Sequence, residues 1–377
     1  MTSTSSTASD TPHVTEPEIP TTKATLVLED GSEFHGISFG ADRNVSGEVV
    51  FSTGMVGYPE ALTDPSFYGQ LLTLTFPLVG NYGVPNNEDH EHLADFFESS
   101  RVQIAGLLVS DYSVHHHHWQ SFQSLANWLK KSGVPGIMGL DTRAITKRLR
   151  EKGAMLGKIV FEGQADVPYY DPNSDQLLEK VSITEKIVYG TGDKTIALLD
   201  CGCKESIAHN ISAKGFRVIR LPWNTDLKAE QYDALLISSG PGDPRLCNQV
   251  IHQIRNTIRE DKPILGICLG HQMLGLAAGG QTYKLKYGHR SQNQPVRDEQ
   301  TGKCYITSQN HGYAVDADTL PSDWKAWFTN LNDGTNEGIK HISKPIRSTQ
   351  FHPEANPGPV DTQYLFEDFL RDVGRVS

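Results

Sequence analysis

No cysteine occurs in the first 200 residues, and the five that follow, at 201, 203, 247, 268 and 304, are odd in number and thinly spread. That excludes the dense, even-numbered disulfide framework of small secreted domains and points to a reducing, cytoplasmic compartment. No apolar run approaches the roughly 20 residues needed to cross a bilayer. Basic residues are outnumbered, 34 Lys and Arg against 45 Asp and Glu, for a net charge of −11. Such a balance is a poor footprint for nucleic acid or an anionic membrane. The opening stretch MTSTSSTASDTPHVTEPEIPTT has no arginine and no apolar core, so it matches neither a secretory signal nor a transit peptide. Its Ser, Thr and Pro content reads as a disordered tail, residues 1–23.

What is present suggests two domains in 377 residues. Over residues 24–161, short β-type runs (ATLVLEDGSEFHG, GEVVFSTG, QLLTLTFPLVG, RVQIAGLLVSDY) are broken by turns, with Asp30-Gly31 placed for a tight hairpin. Helical spacing appears in SFQSLANWLKKSG and DTRAITKRLREKG, each ending at a glycine. This half is expected to be a β-rich α+β domain. Residues 162–193 are dense in turn formers and read as a linker. From 194 to 377 the rhythm changes to near-continuous apolar strands (TIALLD, FRVIRL, DALLIS, PILGIC) alternating with amphipathic segments such as QVIHQIRNTIRED. That pattern predicts a doubly wound α/β domain, whose sites lie at the carboxyl ends of its strands.

One cysteine stands at such an end. In ILGICLGHQMLGLAAGG, Cys268 closes an apolar strand, and Leu269, Met273, Leu276 and Ala277 follow as one buried helical face. Gly266-Ile267-Cys268-Leu269-Gly270 has the form of a nucleophile elbow with Cys in place of Ser. The helix N-terminus supplies partial positive charge and free N–H groups, which favour a thiolate and an oxyanion. By itself the pentapeptide balances evenly between a nucleophile and a buried structural thiol. A thiol nucleophile needs a base with an orienting group. RSTQFHPEANPGP offers both, because His352 and Glu354, two apart on an extended segment, share one side. The order Cys…His-x-Glu on an α/β scaffold points to a catalytic triad. In LLISSGPGDPRLC, Gly240 and Gly242 permit a tight loop with inward amides beside the elbow, and no Gly-Lys-Ser/Thr follows to make it a phosphate cradle.

Together SSGPGDP, GICLGHQ and FHPE resemble the class I (triad-type) glutamine amidotransferase domain. QNHGYAVD (309–316) resembles the loop with which that family holds glutamine, and KYGHRSQNQPV the segment before it. In the N-terminal half, LEDGSEFHG, GEVVFSTGMVGYPEALTDPSF, TLTFPLVGNYG and LDTRAITKRLREKGAM are similar to the N-terminal domain peculiar to the small-subunit family of carbamoyl phosphate synthetase. The resemblance implies glutamine hydrolysis by Cys268, His352 and Glu354, with oxyanion and glutamine contacts at Gly240, Gly242, Leu269 and Gln272. Further glutamine contacts fall on Asn310, Gly312 and Tyr313, and on Ser66 of the TDPSF run. Tyr313 stands where many relatives carry Phe. The resemblance further implies a heterodimeric partner, a large subunit that holds ATP and Mg and joins the ammonia to bicarbonate for arginine and pyrimidine biosynthesis. No cofactor and no metal are expected in this chain.

Three alternatives differ in what they demand. A subunit feeding anthranilate or a nucleotide synthetase would share only the C-terminal half. A free-standing hydrolase of γ-glutamyl peptides would turn over fast without a partner, and a non-enzymatic subunit would lack a triad member. The run His115–His118 cannot converge on one ion in regular geometry and is expected to bind only adventitious metal. Cys201 and Cys203 form C-x-C without a second ligand pair, and Asp95 and Glu98 read as a solvated acidic face.

Overall fold

The computed structural model of the protein describes residues 20–86, 96–212 and 214–375, so residues 1–19 of the expected tail, and Asp95, lie outside it. The N-terminal half is a closed barrel of seven strands in the order Lys23–Leu28, Glu33–Ser38, Gly136–Met138, Gly106–Leu108, Gln70–Leu74, Val45–Ser52, Met155–Phe161. Strand Lys23–Leu28 closes it by pairing with Glu33–Ser38 on one side and Met155–Phe161 on the other. The first pair is the hairpin expected at Asp30-Gly31, where Gly31 adopts φ 83°. Met155–Phe161 alternates buried and half-buried residues as a barrel strand must. Helix Thr142–Lys152 is capped by the Asp141 side chain and packs Ile145 and Leu149 into the barrel's apolar cluster.

The C-terminal half is one ten-stranded sheet, and its parallel part fits the doubly wound expectation. Thr195–Asp200, the first of these strands, lies between the second, Arg217–Pro222, and the third, Ala234–Ile237; Ile264–Ile267 and Ile346–Thr349 follow outward. Alternate residues serve opposite faces. Ala197, Leu199, Leu235 and Ile237 pack with helices Asn248–Ile258 and Leu269–Ala278. Ile196, Leu198, Ala234 and Leu236 pack with Glu205–Ser212 and Tyr364–Arg375. Two features depart from expectation. Ile187–Tyr189, inside the stretch read as a linker, adds an antiparallel edge strand to this sheet. QNHGYAVD is not a loop but the end of a strand, Cys304–Asp316, in an antiparallel extension with Gln281–Asp298. Among the described residues, no helix is long and apolar enough to cross a membrane.

Candidate active site

Three neighbouring parallel strands deliver the three motifs to one edge of the sheet. Ala234–Ile237 leads into Ser238-Ser239-Gly240, Ile264–Ile267 into Cys268, and Ile346–Thr349 toward His352 and Glu354. Cys268 has φ 54° and ψ −103°, a conformation a non-glycine residue holds only under strain, on the order of 1–3 kcal/mol. The surroundings impose it: Cys268 N donates to Thr349 O at 2.8 Å and Gly270 N to Ser238 O at 3.1 Å. A Cβ at Gly270 would stand 2.3 Å from Ile237 O, and one at Gly266 2.7 Å from Gly270 O. Only glycines let helix and strand approach this closely.

Behind the thiol, no hydrogen bond engages the Gly240 or the Leu269 amide among the described residues. A Cβ at Gly240 would meet Cys201 O at 1.9 Å, which restricts that position to glycine. The Cys268 thiol donates to Asn310 O at 3.4 Å. His352 Nδ1 lies 2.5 Å from Glu354 Oε1, and the backbone N of His352 donates to Ser308 O. With Nδ1–H given to Glu354, Nε2 is left to take and return the thiol's proton. It has no hydrogen-bond partner among the described residues, yet the Cys268 sulfur is near enough to act on the ring. Burial works to lower the pKa of His352; the charges of Glu354 and Cys268 outweigh it and raise it. Burial works to raise Glu354, and Lys204 and then His352 drive it well below the carboxylate range.

Lys204 is one group that the sequence did not reveal. Its Nζ lies 3.1 Å from Glu354 Oε1 and 3.5 Å from Glu98 Oε1, with the lysine and glutamate side chains 5% and 0% exposed. Glu98 is therefore no solvated residue. It is sealed in the interface, where Ser206, 108 residues downstream, donates to both its carboxylate oxygens. A local run of acidic letters carries no trace of partners that distant.

The remaining expected residues gather around a small cavity lined by Ser66, Gly240, Gly242, Cys268, Gln272, Asn310, Gly312 and Tyr313. It offers about 30 Å³ to water, room for a molecule or two. Hollows of about 690 and 720 Å³ lie in the N-terminal half, away from the thiol. Gln272 Nε2 braces the carbonyl of Tyr313 at 2.9 Å, a backbone contact that Phe would preserve. Ser66 Oγ is buried without a hydrogen-bond partner among the described residues, and Asp64 ties its loop to the other wall through Asn310 Nδ2 at 3.0 Å. Two buried charges also line the cavity, Arg290 and Glu48, neither foreseen from sequence.

The two other cysteines singled out have plain structural roles. Cys201 and Cys203 are core residues whose thiols burial pushes up. Among the described residues, His115–His118 join no metal-ligand cluster, and His116 bonds Ser121. His289, His311 and Glu337 stand close enough to hold an ion, but His289 sits between Asp333 at 2.8 Å and Glu337 at 3.4 Å. Burial opposes its charge, and the two carboxylates raise it to about 9, so the cation there is the imidazolium itself.

Residues 197–372 match the model of the glutamine amidotransferase class-I family, and residues 26–159 that of the carbamoyl-phosphate synthase small chain, CPSase domain. A carbamoyl phosphate synthase arginine-specific small chain from Chaetomium globosum is 48% identical over 93% of this chain and 78% of its own. That of Aspergillus clavatus is 47% identical over 95% of this chain and 81% of its own. The multifunctional protein CAD of Squalus acanthias is 50% identical over 93% of this chain, which spans 16% of that protein's length.

Proposed function

This chain belongs to the carbamoyl-phosphate synthase small-chain family, and we propose that it hydrolyses L-glutamine and delivers the ammonia to a large synthetase subunit. The observation that carries the proposal is the delivery of Gly240, Cys268 and the His352–Glu354 pair by three adjacent strands to one buried point. Cys268 Sγ, whose proton His352 Nε2 has taken, attacks the side-chain amide carbon of glutamine. The Gly240 and Leu269 amides receive the oxyanion. Collapse expels ammonia, protonated by His352, and leaves a thioester; His352 then takes a proton from water, which attacks to release glutamate. Arg290 and Glu48, the latter paired with Lys284 Nζ at 2.8 Å, line the cavity with charges opposite to the α-carboxylate and α-ammonium of a free amino acid.

The synthetic half of the reaction, with ATP, Mg and bicarbonate, belongs in this proposal to the large subunit, in the cytoplasm, serving arginine and pyrimidine biosynthesis. The N-terminal domain, which simpler amidotransferases lack, is the docking surface. Reconstitution tests the scheme. Cys268→Ser should abolish glutamine-dependent carbamoyl phosphate synthesis while ammonia-dependent synthesis persists, and near-normal glutamate release by the variant would refute it.

A further inference from the structure

The triad is not electrically closed within its own domain. Lys204 Nζ has three acceptors at hand: Glu354 Oε1 at 3.1 Å, Asn356 O at 2.8 Å and Glu98 Oε1 at 3.5 Å. An ammonium has three protons to give, so these contacts fix where the lysine sits. Two of the acceptors belong to the triad's own loop, and the third comes from the barrel domain.

We propose that Glu98 is a positioning residue for the triad, acting through Lys204, so that the N-terminal domain sets the strength of the Glu354–His352 pair. The inference rests on the glutaminase reading of Cys268. Glu98 is held as a positioning group must be. Ser206 Oγ donates to Oε1 and Oε2 at 2.9 and 2.8 Å, Ser206 N donates to Oε2 at 3.1 Å, and the backbone N of Glu98 donates to Thr63 Oγ1 at 2.8 Å. The result is an alternating row of buried groups, Glu98, Lys204, Glu354, His352 and Cys268. Asp64 and Glu60 add negative charge toward Lys204 from the same domain, and Glu354 opposes Glu98 across it.

Removing the charge of Glu98 leaves Lys204 to act more fully on Glu354. Glu354 then supports the imidazolium less, and a nearby negative charge is gone as well. Both effects move the loss of the His352 proton to lower pH. Burial, only partly offset by Lys204, raises the Glu98 carboxyl to about 7, so the natural chain loses this influence as pH falls below that value.

The test uses the full chain and follows, from pH 6 to 10, glutamate release and the protonation of the His352 imidazole, read by NMR on 15N-histidine-labelled protein and assigned by His352→Asn. Glu98→Gln should shift the basic edge of both curves down by about 0.5–1 pH unit and lower kcat/KM about 3–10-fold at pH 8. The two proteins should converge at pH 6. Glu98→Asp, which restores the charge, should return the edge toward its natural position even if its thermal midpoint is lower. A folded Glu98→Gln chain with an unshifted edge overturns the proposal. Should that variant not fold, Ser206→Ala, which keeps the charge and loosens its clamp, should move the edge the same way, and an unmoved edge again overturns it. A natural chain that releases no glutamate would defeat the glutaminase reading, while the His352 titration would still decide the role of Glu98.

Discussion

Replacing Glu354 with glutamine should remove the charge that sustains the His352 imidazolium while preserving the geometry around it. Lys204 Nζ and His352 Nδ1 contact the same oxygen, Glu354 Oε1, at 3.1 and 2.5 Å. The other oxygen, Oε2, has no hydrogen-bond partner among the described residues. A glutamine carbonyl at the first position accepts from both neighbours, and its NH2 group fills a place where no bond is lost. The histidine tautomer is kept, and Lys204 retains Glu98 as counter-charge. What disappears is electrostatic support, so the loss should be about 1.4–2.7 kcal/mol, or 10–100-fold in kcat/KM. His352→Asn removes the proton carrier and should cost on the order of 10⁴-fold. Because Glu354 holds the imidazole pKa up, the basic edge of activity should also fall in Glu354→Gln. Coupled measurement of glutamate release, with calorimetry to confirm folding, decides the matter. Equal losses in the two variants, or a loss under about threefold with an unmoved edge, would refute the reasoning.

Two further outcomes concern stability. Arg220 pairs with Asp200 at 2.7 Å and Glu205 at 2.6 Å, and Asp200 is fully buried. Arg220→Met should therefore cost about 3–5 kcal/mol, a fall in Tm on the order of 10 °C in a thermal scan, and an unchanged Tm would contradict it. His289 is raised to about 9 in the folded chain, above its unfolded value, so its contribution is fully present below about pH 6.5 and lost as pH rises through 9. His289→Asn should flatten the decline of the urea midpoint across that window, and parallel declines would count against the histidinium.

Much of the site was legible because each motif sits where a strand ends, and strand ends show in local letters. PILGI is apolar throughout and Cys268 follows at once; His352 and Glu354 are two apart and meet at 2.5 Å. Lys204 and Glu98 were illegible for the opposite reason: Lys204 meets Glu354 only across 150 residues of its own domain, and Glu98 meets Lys204 and Ser206 only when the two domains meet. Residues 309–316 read as a loop on the family resemblance; the polar Gln309, Asn310 and His311 hide the strand Cys304–Asp316 from an apolar pattern, yet all three are buried. Edge strand Ile187–Tyr189 is three residues long in a turn-rich stretch, too short for periodicity to reveal. The barrel's strands were readable, but its closure was not, because pairing Ala24 with Phe161 is a tertiary event.

That the chemistry is assembled across the interface can be measured directly at Asp64 and Asn310. Asp64 Oδ1 accepts from Ser66 N at 2.8 Å and Oδ2 from Asn310 Nδ2 at 3.0 Å, so one carboxylate pins both walls of the glutamine cavity. Ser66 belongs to the barrel domain, while Asn310 also supplies the carbonyl that receives the Cys268 thiol. With room for only a water or two, the cavity must adjust its walls to admit glutamine, and their spacing is set by this bond. A hydrogen bond to a buried charged group is worth about 1.5–3 kcal/mol, so Asp64→Ala and Asn310→Ala should each lower glutamine kcat/KM roughly 10–150-fold. The double variant should be little worse than the poorer single one, because the second substitution removes a bond already broken. Full additivity in folded proteins would mean that the two walls work independently and that the barrel domain takes no part in holding the substrate.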